Sequence, residues 1–291
     1  MATLKQIRQR IRSAKNIQQI TRAMKLVAAA RLTRAKLRVE EARPYAEKMR
    51  EFMENVGQAG ELPSHPLLDR REIKRIGLLL VTGDRGLAGS YNTLVIRKAS
   101  DFLKESDKDH TIIGVGKKGW QFFGKRGHEV AKTFTLPTAG GDLPDAVEIA
   151  EEAKRMFVEG EVDAIYLCYS KFYSPIRQVP QVVQLLPIEP PQGSAADTEE
   201  GKSKVAEYKY EPEPAELLGL LLPKYLVTVV YQALLEAAAS EHGARMTAMT
   251  SATDNAGKMI GGLTLTANRV RQAGITKEIL EIVGGAEALK A

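Results

Sequence analysis

Between Met1 and about Val56 the chain carries one proline, Pro44, and no glycine before Gly57. Apolar residues fall at Leu4, Ile7, Ile11 and Ala14, and again at Ile17, Ile20, Met24 and Val27. Steps of three and four residues are the spacing of a coiled-coil seam. Ala14 to Ile17 is a step of three where four would be regular, so the pattern predicts a locally overwound coil. As one helix the segment would run roughly 80 Å at 1.5 Å per residue, too long to bury inside a domain of this size. The other end mirrors it. Met246, Met249, Thr253, Ala256, Ile260, Leu263, Ala267 and Val270 form an unbroken heptad row. Gly274 interrupts that row, and Ile275, Ile279, Ile282, Ala286 and Leu289 resume it in a shifted phase. A heptad stripe at each end predicts one antiparallel two-helix coiled coil, and the many small seam residues allow close approach.

The middle alternates between strand and helix signals. Ile76–Thr82 is an apolar run that ends in Gly83-Asp84-Arg85-Gly86-Leu87-Ala88-Gly89, and a helix is predicted from about Tyr91 to Lys104. Thr111–Val115 reads as strand, Lys118–Lys125 as a short helix, and Asp142–Val158 as a helix with an acidic first turn that suits its dipole. Val162–Tyr169 and Ile176–Leu186 read as two more strands, and Pro190–Lys204 as a polar loop. Such alternation predicts a largely parallel sheet covered by helices. The expected division is therefore an N-terminal coil helix over residues 1–57, an α/β globular domain over 74–210, and a C-terminal coil helix over 214–289.

Composition removes several kinds of chemistry. One cysteine, Cys168, allows no intrachain disulfide, and its apolar strand context predicts an inert core thiol. His65, His110, His128 and His242 are scattered without metal-ligand spacing, so no metal or cofactor is expected. The acidic pairs Glu40/Glu41 and Glu151/Glu152 read as solvated helix faces. No secretory signal pattern opens the chain. The most apolar stretch, Leu217–Ala239, is broken by Pro223, Lys224, Gln232 and Glu236, which predicts a core helix instead of a bilayer span.

Two features leave room for a ligand. The glycine-rich turn at 83–89 follows a strand and opens a helix, where nucleotide folds place phosphates. Its spacing is not a dinucleotide fingerprint and no Lys-Ser or Lys-Thr pair completes a P-loop, so a tight structural turn is the competing reading. The second feature is charge: the chain carries a net +6, and every charged residue from Met1 to Val39 is basic. That stretch could meet a nucleic acid or an acidic protein surface. It has no aromatic residue for base stacking, and the adjoining heptads favour a protein partner.

Several segments, in order, resemble one family. They are Gln19-Ile20-Thr21-Arg22-Ala23-Met24-Lys25-Leu26-Val27-Ala28-Ala29-Ala30; Val81 to Asn92; Glu241-His242-Gly243-Ala244-Arg245-Met246-Thr247-Ala248-Met249; and Asn268-Arg269-Val270-Arg271-Gln272-Ala273-Gly274-Ile275-Thr276, continuing from Glu278 to Ala286. Together they resemble the γ subunits of rotary, F-type ATP synthases. The lone Cys168 departs from chloroplast-type members, which carry a regulatory cysteine pair, and so points to the bacterial type.

The resemblance implies a Rossmann-like α/β domain joined to the coiled coil, and a rotor without chemistry of its own. The coil would turn inside a hexamer of α and β subunits, driving each β subunit through its nucleotide states. The globular domain would hold the ε subunit and the membrane ring of c subunits, through which alone the chain would meet the membrane, at the cytoplasmic face of a bacterial cell. No nucleic acid is expected. By the same resemblance, Arg245, Arg271, Gln272 and Thr276 would hydrogen-bond a loop of one β subunit, while Met24 and Lys25 would face its moving acidic lever. The stretch from Ala286 to Leu289 would form an apolar upper bearing. From the heptad phase alone, Arg271 and Gln272 flank seam residue Val270 and should point outward.

Overall fold

A computed structural model describes residues 3–58, 65–135, 140–189 and 214–288. The elements run α1 (Leu4–Gln58), β1 (Arg75–Val81), α2 (Tyr91–Ser106), β2 (Asp109–Val115), α3 (Lys117–Gly124), β3 (Val130–Phe134), α4 (Leu143–Val158), β4 (Ala164–Phe172), β5 (Gln178–Leu186) and α5 (Pro214–Ala288). The expected loop at Pro190–Lys204, and Leu289 at the tip, lie outside the described residues. The chain forms two compact units, one of residues 1–28 with 245–291 and one of residues 29–244. Each long helix contributes to both.

The larger unit is built on a five-stranded sheet of order β3-β2-β1-β4-β5. β1 pairs in parallel with β2 and with β4, β2 pairs in parallel with β3, and β5 closes the edge antiparallel to β4. This matches the expected mixed α/β sheet, with one strand more. β3 reads Val-Ala-Lys-Thr-Phe at an edge, and its middle residues are exposed, so it carries no continuous apolar run. Central β1 is apolar almost throughout because both its faces are covered. Leu78 and Leu80 point to one side and pack with Tyr91, Val95 and Ala99 of α2 and Phe123 of α3. Leu79 and Val81 point to the other and join Ile149 and Phe157 of α4 with Leu222, Val230 and Leu234 of α5.

That second cluster settles the most apolar stretch. By length and composition α5 contains a window apolar enough to cross a membrane. Its Leu218, Leu222, Leu226, Val230, Ala233 and Ala237 are instead buried in the core, as the breaking polar residues implied. α4 begins with a reciprocal capping box between Asp142 and Asp145 and carries Pro144 in its first turn, which satisfies amides that would otherwise be orphaned.

In the smaller unit α1 and α5 pair antiparallel: Thr253 Oγ1 donates to Thr21 Oγ1 at 2.9 Å, and Gln18 lies against Gly257. The α5 row from Met246 to Val270 is buried or half-buried at every expected position. The α1 row requires a correction. Its inward residues are Leu4, Ile7, Ile11, Ala14, Gln18, Thr21, Lys25 and Ala28, a regular alternation of three and four without a phase shift. Ile17 and Ile20 are 55% and 59% exposed. The expected overwound coil at Ala14–Ile17 is therefore absent. Polar Gln18, Thr21 and Lys25 hold the seam, and the apolar row stands one residue earlier, about 100° around the helix. Gly274 does not break α5, which continues to Ala288. Beyond Val270 every residue through Ala286 is exposed, so the second α5 row is no seam.

Candidate functional site: a filled crevice and an outward helix

In an open parallel sheet, ligands bind outside the carboxyl ends of the strands where strand order reverses. Here that point lies between β1 and β4, and the chain fills it with its own α5. Ser240, fully buried, donates to the carbonyl of Ser170 at the end of β4 at 3.0 Å. The Glu241 carboxylate sits against Gly83, so close that a Cβ added there would come within 2.8 Å of it. Gly243 lies against Pro175, Gln178 and Phe172, where a side chain would crowd the loop after β4.

The glycine-rich turn is likewise occupied with itself. The Gly83 amide donates to Asn92 Oδ1 at 2.9 Å, and Asn92 Nδ2 donates to the Arg85 carbonyl at 3.3 Å. Asp84 Oδ1 accepts the Lys117 amide at the start of α3 at 2.8 Å. Leu87 and Gly89 take positive φ of 59° and 57°, so glycine serves the turn at 89 while Leu87 bears the strain itself. The anion beside this strand-to-helix turn is a carboxylate of the same chain, which favours the structural reading of the loop over a nucleotide site.

The six residues singled out as β-subunit contacts fall into three situations. Arg271, Gln272 and Thr276 are exposed on α5 beyond the last paired seam residue; Thr276 Oγ1 only back-bonds to the Gln272 carbonyl at 3.0 Å. These three share one outward segment. Met24 and Lys25 are half-buried on α1, with Lys25 in the seam register. Arg245 is only 9% exposed, so it is not a solvated side chain in this chain alone.

The structure also joins groups that sequence spacing keeps apart. His110 Nε2 and His128 Nδ1 lie 2.7 Å apart across β2 and the turn into β3. Burial, then the neighbouring His110 and Arg126, pushes the His128 pKa below its ordinary value. Only the undetected edge strand β3 places these two side by side. No group of three or more potential metal ligands occurs among the described residues. Cys168 is fully buried on β4, and burial pushes its pKa up to about 12. A thiol held so far above neutrality is a poor nucleophile, as its context implied.

The described surface thus offers an unpaired helix end and a self-filled crevice. The family described as ATP synthase matches residues 3–289. A relative from Moorella thermoacetica, the ATP synthase gamma chain, is 47% identical over 290 residues, covering 100% of both chains. A chain in the central stalk and c-ring of the Tetrahymena thermophila mitochondrial ATP synthase is similar with 26% identity and a TM-score of 0.59, covering 80% of this chain and 99% of that one. A chain in the Euglena gracilis mitochondrial ATP synthase shares the fold at 18% identity and a TM-score of 0.69, covering 98% and 94%. On this full-length match, the chain belongs to the ATP synthase gamma chain family.

Proposed function

We infer that the chain is the central-stalk rotor subunit of an F-type ATP synthase, coupling proton flow through a c-ring to ATP synthesis and hydrolysis on β subunits. The observation that carries this reading is the end of α5. From Arg271 to Ala286 the helix is exposed on every side, a length of about 24 Å at 1.5 Å per residue. It presents Ile275, Ile279, Leu280, Ile282 and Val283 to solvent. An isolated helix of this length is marginal in water, and a row of large apolar residues on it calls for surrounding protein. A cavity within the α and β hexamer would supply that.

On this reading Arg245, Arg271, Gln272 and Thr276 meet a β-subunit loop, Arg271 as a bidentate partner for a carboxylate. Met24 and Lys25 face the moving acidic lever of a β subunit, and the α/β unit holds the ε subunit and the c-ring. The chain has no catalysis of its own, supported by the self-filled crevice, and works at the cytoplasmic face of a bacterial membrane through the ring. Co-expression with α and β subunits tests the reading. Co-purification and an ATPase absent from the chain alone are expected; elution alone, or hydrolysis by this chain alone, counts against it. Within that complex, Arg271→Ala should lower coupled ATPase without changing the melting of the isolated chain. Unchanged ATPase and assembly would remove Arg271 from the contact.

A further inference from the structure

Neither the crevice nor the helix end uses His110 and His128, which meet where the chain enters the edge strand β3. That strand ends the sheet and, among the described residues, pairs only with β2. The pairing register shifts between Ile112 and Ile113. Ala131, Lys132 and Thr133 are exposed, so little apolar burial holds β3 down. A strand held in this way opens locally at low cost, and a contact at its entry carries weight. His128 stands just before β3, half-buried, with its ring edge-on to the buried Phe123 at 5.1 Å. His110 is half-buried on β2, on the same face as Ile112, which packs with Phe123.

The geometry fixes where the hydrogens are. His110 Nδ1 lies 3.2 Å from the Lys108 carbonyl oxygen. A carbonyl only accepts, so Nδ1 carries a hydrogen, and in the neutral ring Nε2 is bare. Nε2 therefore accepts from His128 Nδ1 at 2.7 Å. One proton can be added at His128 Nε2 without disturbing that bond. A second has only His110 Nε2 left, where two hydrogens would face each other across a 2.7 Å gap that holds one. Neighbouring charges give no relief. Lys125 and Arg126 follow α3, and Arg126 lies over the Phe122 ring at 3.5 Å. Lys108 and Asp109 flank His110, with Lys108 Nζ donating to the Ile73 carbonyl at 2.5 Å. Glu129 is bound to Arg75 of β1 at 2.7 Å. Lys104, Glu105 and Asp107 at the end of α2 are exposed, as is Lys132 of β3. Among the described residues neither ring is bonded to a carboxylate.

We propose that His110 and His128 form a proton-operated latch on the sheet edge, closed with one added proton or none and forced open by a second, which frees β3 from β2. An unfolded chain takes up both protons at about the ordinary 6.5. In the folded chain His128 is held below that value, by burial first and then by His110 and Arg126. Stability of the edge is therefore complete above 6.5 and is lost as pH falls below it. The latch stands apart from the rotor reading.

The test uses the full isotope-labelled chain, following amide exchange and the histidine ring nitrogens by NMR from about pH 8 to about pH 5. Protection of residues 130–134, corrected for the chemical exchange rate, should fall about tenfold, as loss of one hydrogen bond allows. Protection of residues 77–81 in β1 should stay level. The two rings should titrate in coupled steps, each ring reporting both. Exchange is read locally because His65 Nδ1 accepts the Leu67 amide at 3.1 Å, and acid disturbs that contact too. His110→Gln offers a carbonyl oxygen to the His128 Nδ1 hydrogen and takes up no proton. It should keep β3 protected across the range and let His128 titrate in one step, moved up toward 6.5. Independent one-step titrations in the parent chain, or β3 protection that ignores pH, would overturn the latch. An equal fall of protection in His110→Gln would assign the opening to another group and overturn it as well. The first two outcomes need only the parent chain, so a variant that fails to fold leaves the test standing.

Discussion

At Gly116, between β2 and α3, the backbone takes φ +84°, and a Cβ there would lie 1.9 Å from the Thr82 carbonyl oxygen. The neighbouring backbone cannot yield, because Thr82 is tied from both sides. Its amide donates to Val115 O at 2.8 Å, and its hydroxyl oxygen accepts from the Gly119 amide at 2.9 Å. Gly116→Ala should therefore destabilise the chain by about 3 kcal/mol, combining left-handed strain with overpacking. Gly219→Ala, in α5 with open space around it, should be neutral or stabilising by up to about 1 kcal/mol. Urea unfolding of the two variants checks both, and equal midpoints would refute the contrast.

Asp163 shows how one carboxylate pins a strand start. Its Oδ2 accepts the amides of Lys74 and Arg75, each at 2.8 Å. The Arg75 amide bond is the main force holding its pKa below the ordinary 3.8, against burial. Because the folded-state pKa is depressed, this stabilisation is present above the ordinary value. It disappears as pH falls through the lower, folded-state value. Asp163→Asn should cost about 1–2 kcal/mol at pH 7 in urea titrations, the difference between charged and neutral acceptors. The gap to the parent should narrow as the medium is acidified below 3.8; a gap independent of pH would refute it.

At the scale of elements, α1 separates what a pattern can show from what it cannot. If Gln18, Thr21 and Lys25 hold the seam, Ala14→Gln should speed amide exchange across residues 4–28. Ile17→Gln with Ile20→Gln should leave exchange and stability within about 0.5 kcal/mol, as for exposed sites in general. The reverse result would restore the apolar row as the seam. Heptad reading found both helices and the α5 row because those inward positions are apolar or small. In α1 it held from Leu4 to Ala14 and failed from Ile17 on, because hydrophobicity there marks an outward face, while polar side chains meet each other inside, as Thr21 meets Thr253. The same physics explains β3, where an exposed edge leaves no apolar signature, and the Ser240–Gly243 plug, whose contacts join positions far apart in the chain, 70 residues for Ser240 and Ser170. Arg271 and Gln272 were legible as outward positions from the phase around Val270, while Thr276 was named only through the family resemblance. The burial of Arg245 was not legible, since single-helix periodicity says nothing of neighbours packed from outside that helix.

For the whole molecule, α5 serves two environments with one continuous backbone. Residues 218–237 supply the core of the α/β unit, residues 246–270 pair with α1, and residues 271–286 are exposed. Stability and action should therefore come apart at Val270. Removal of everything from Arg271 onward deletes no buried side chain among the described residues, so the melting temperature of the isolated chain should hold. The α1–α5 pairing keeps its seam to the end, and amide exchange in residues 4–28 should be unchanged. The shortened chain should still join α and β subunits through its coil. Its complex should show lower ATPase, because Arg271, Gln272, Thr276 and the apolar helix end are the parts that only a surrounding partner can use. Melting and ATPase measured on the same preparations separate the outcomes. Retained stability with reduced turnover places the working surface on the unpaired helix end. Lost stability would mean that this end packs within the chain after all, and full ATPase would move the working contacts down to Met24, Lys25 and Arg245.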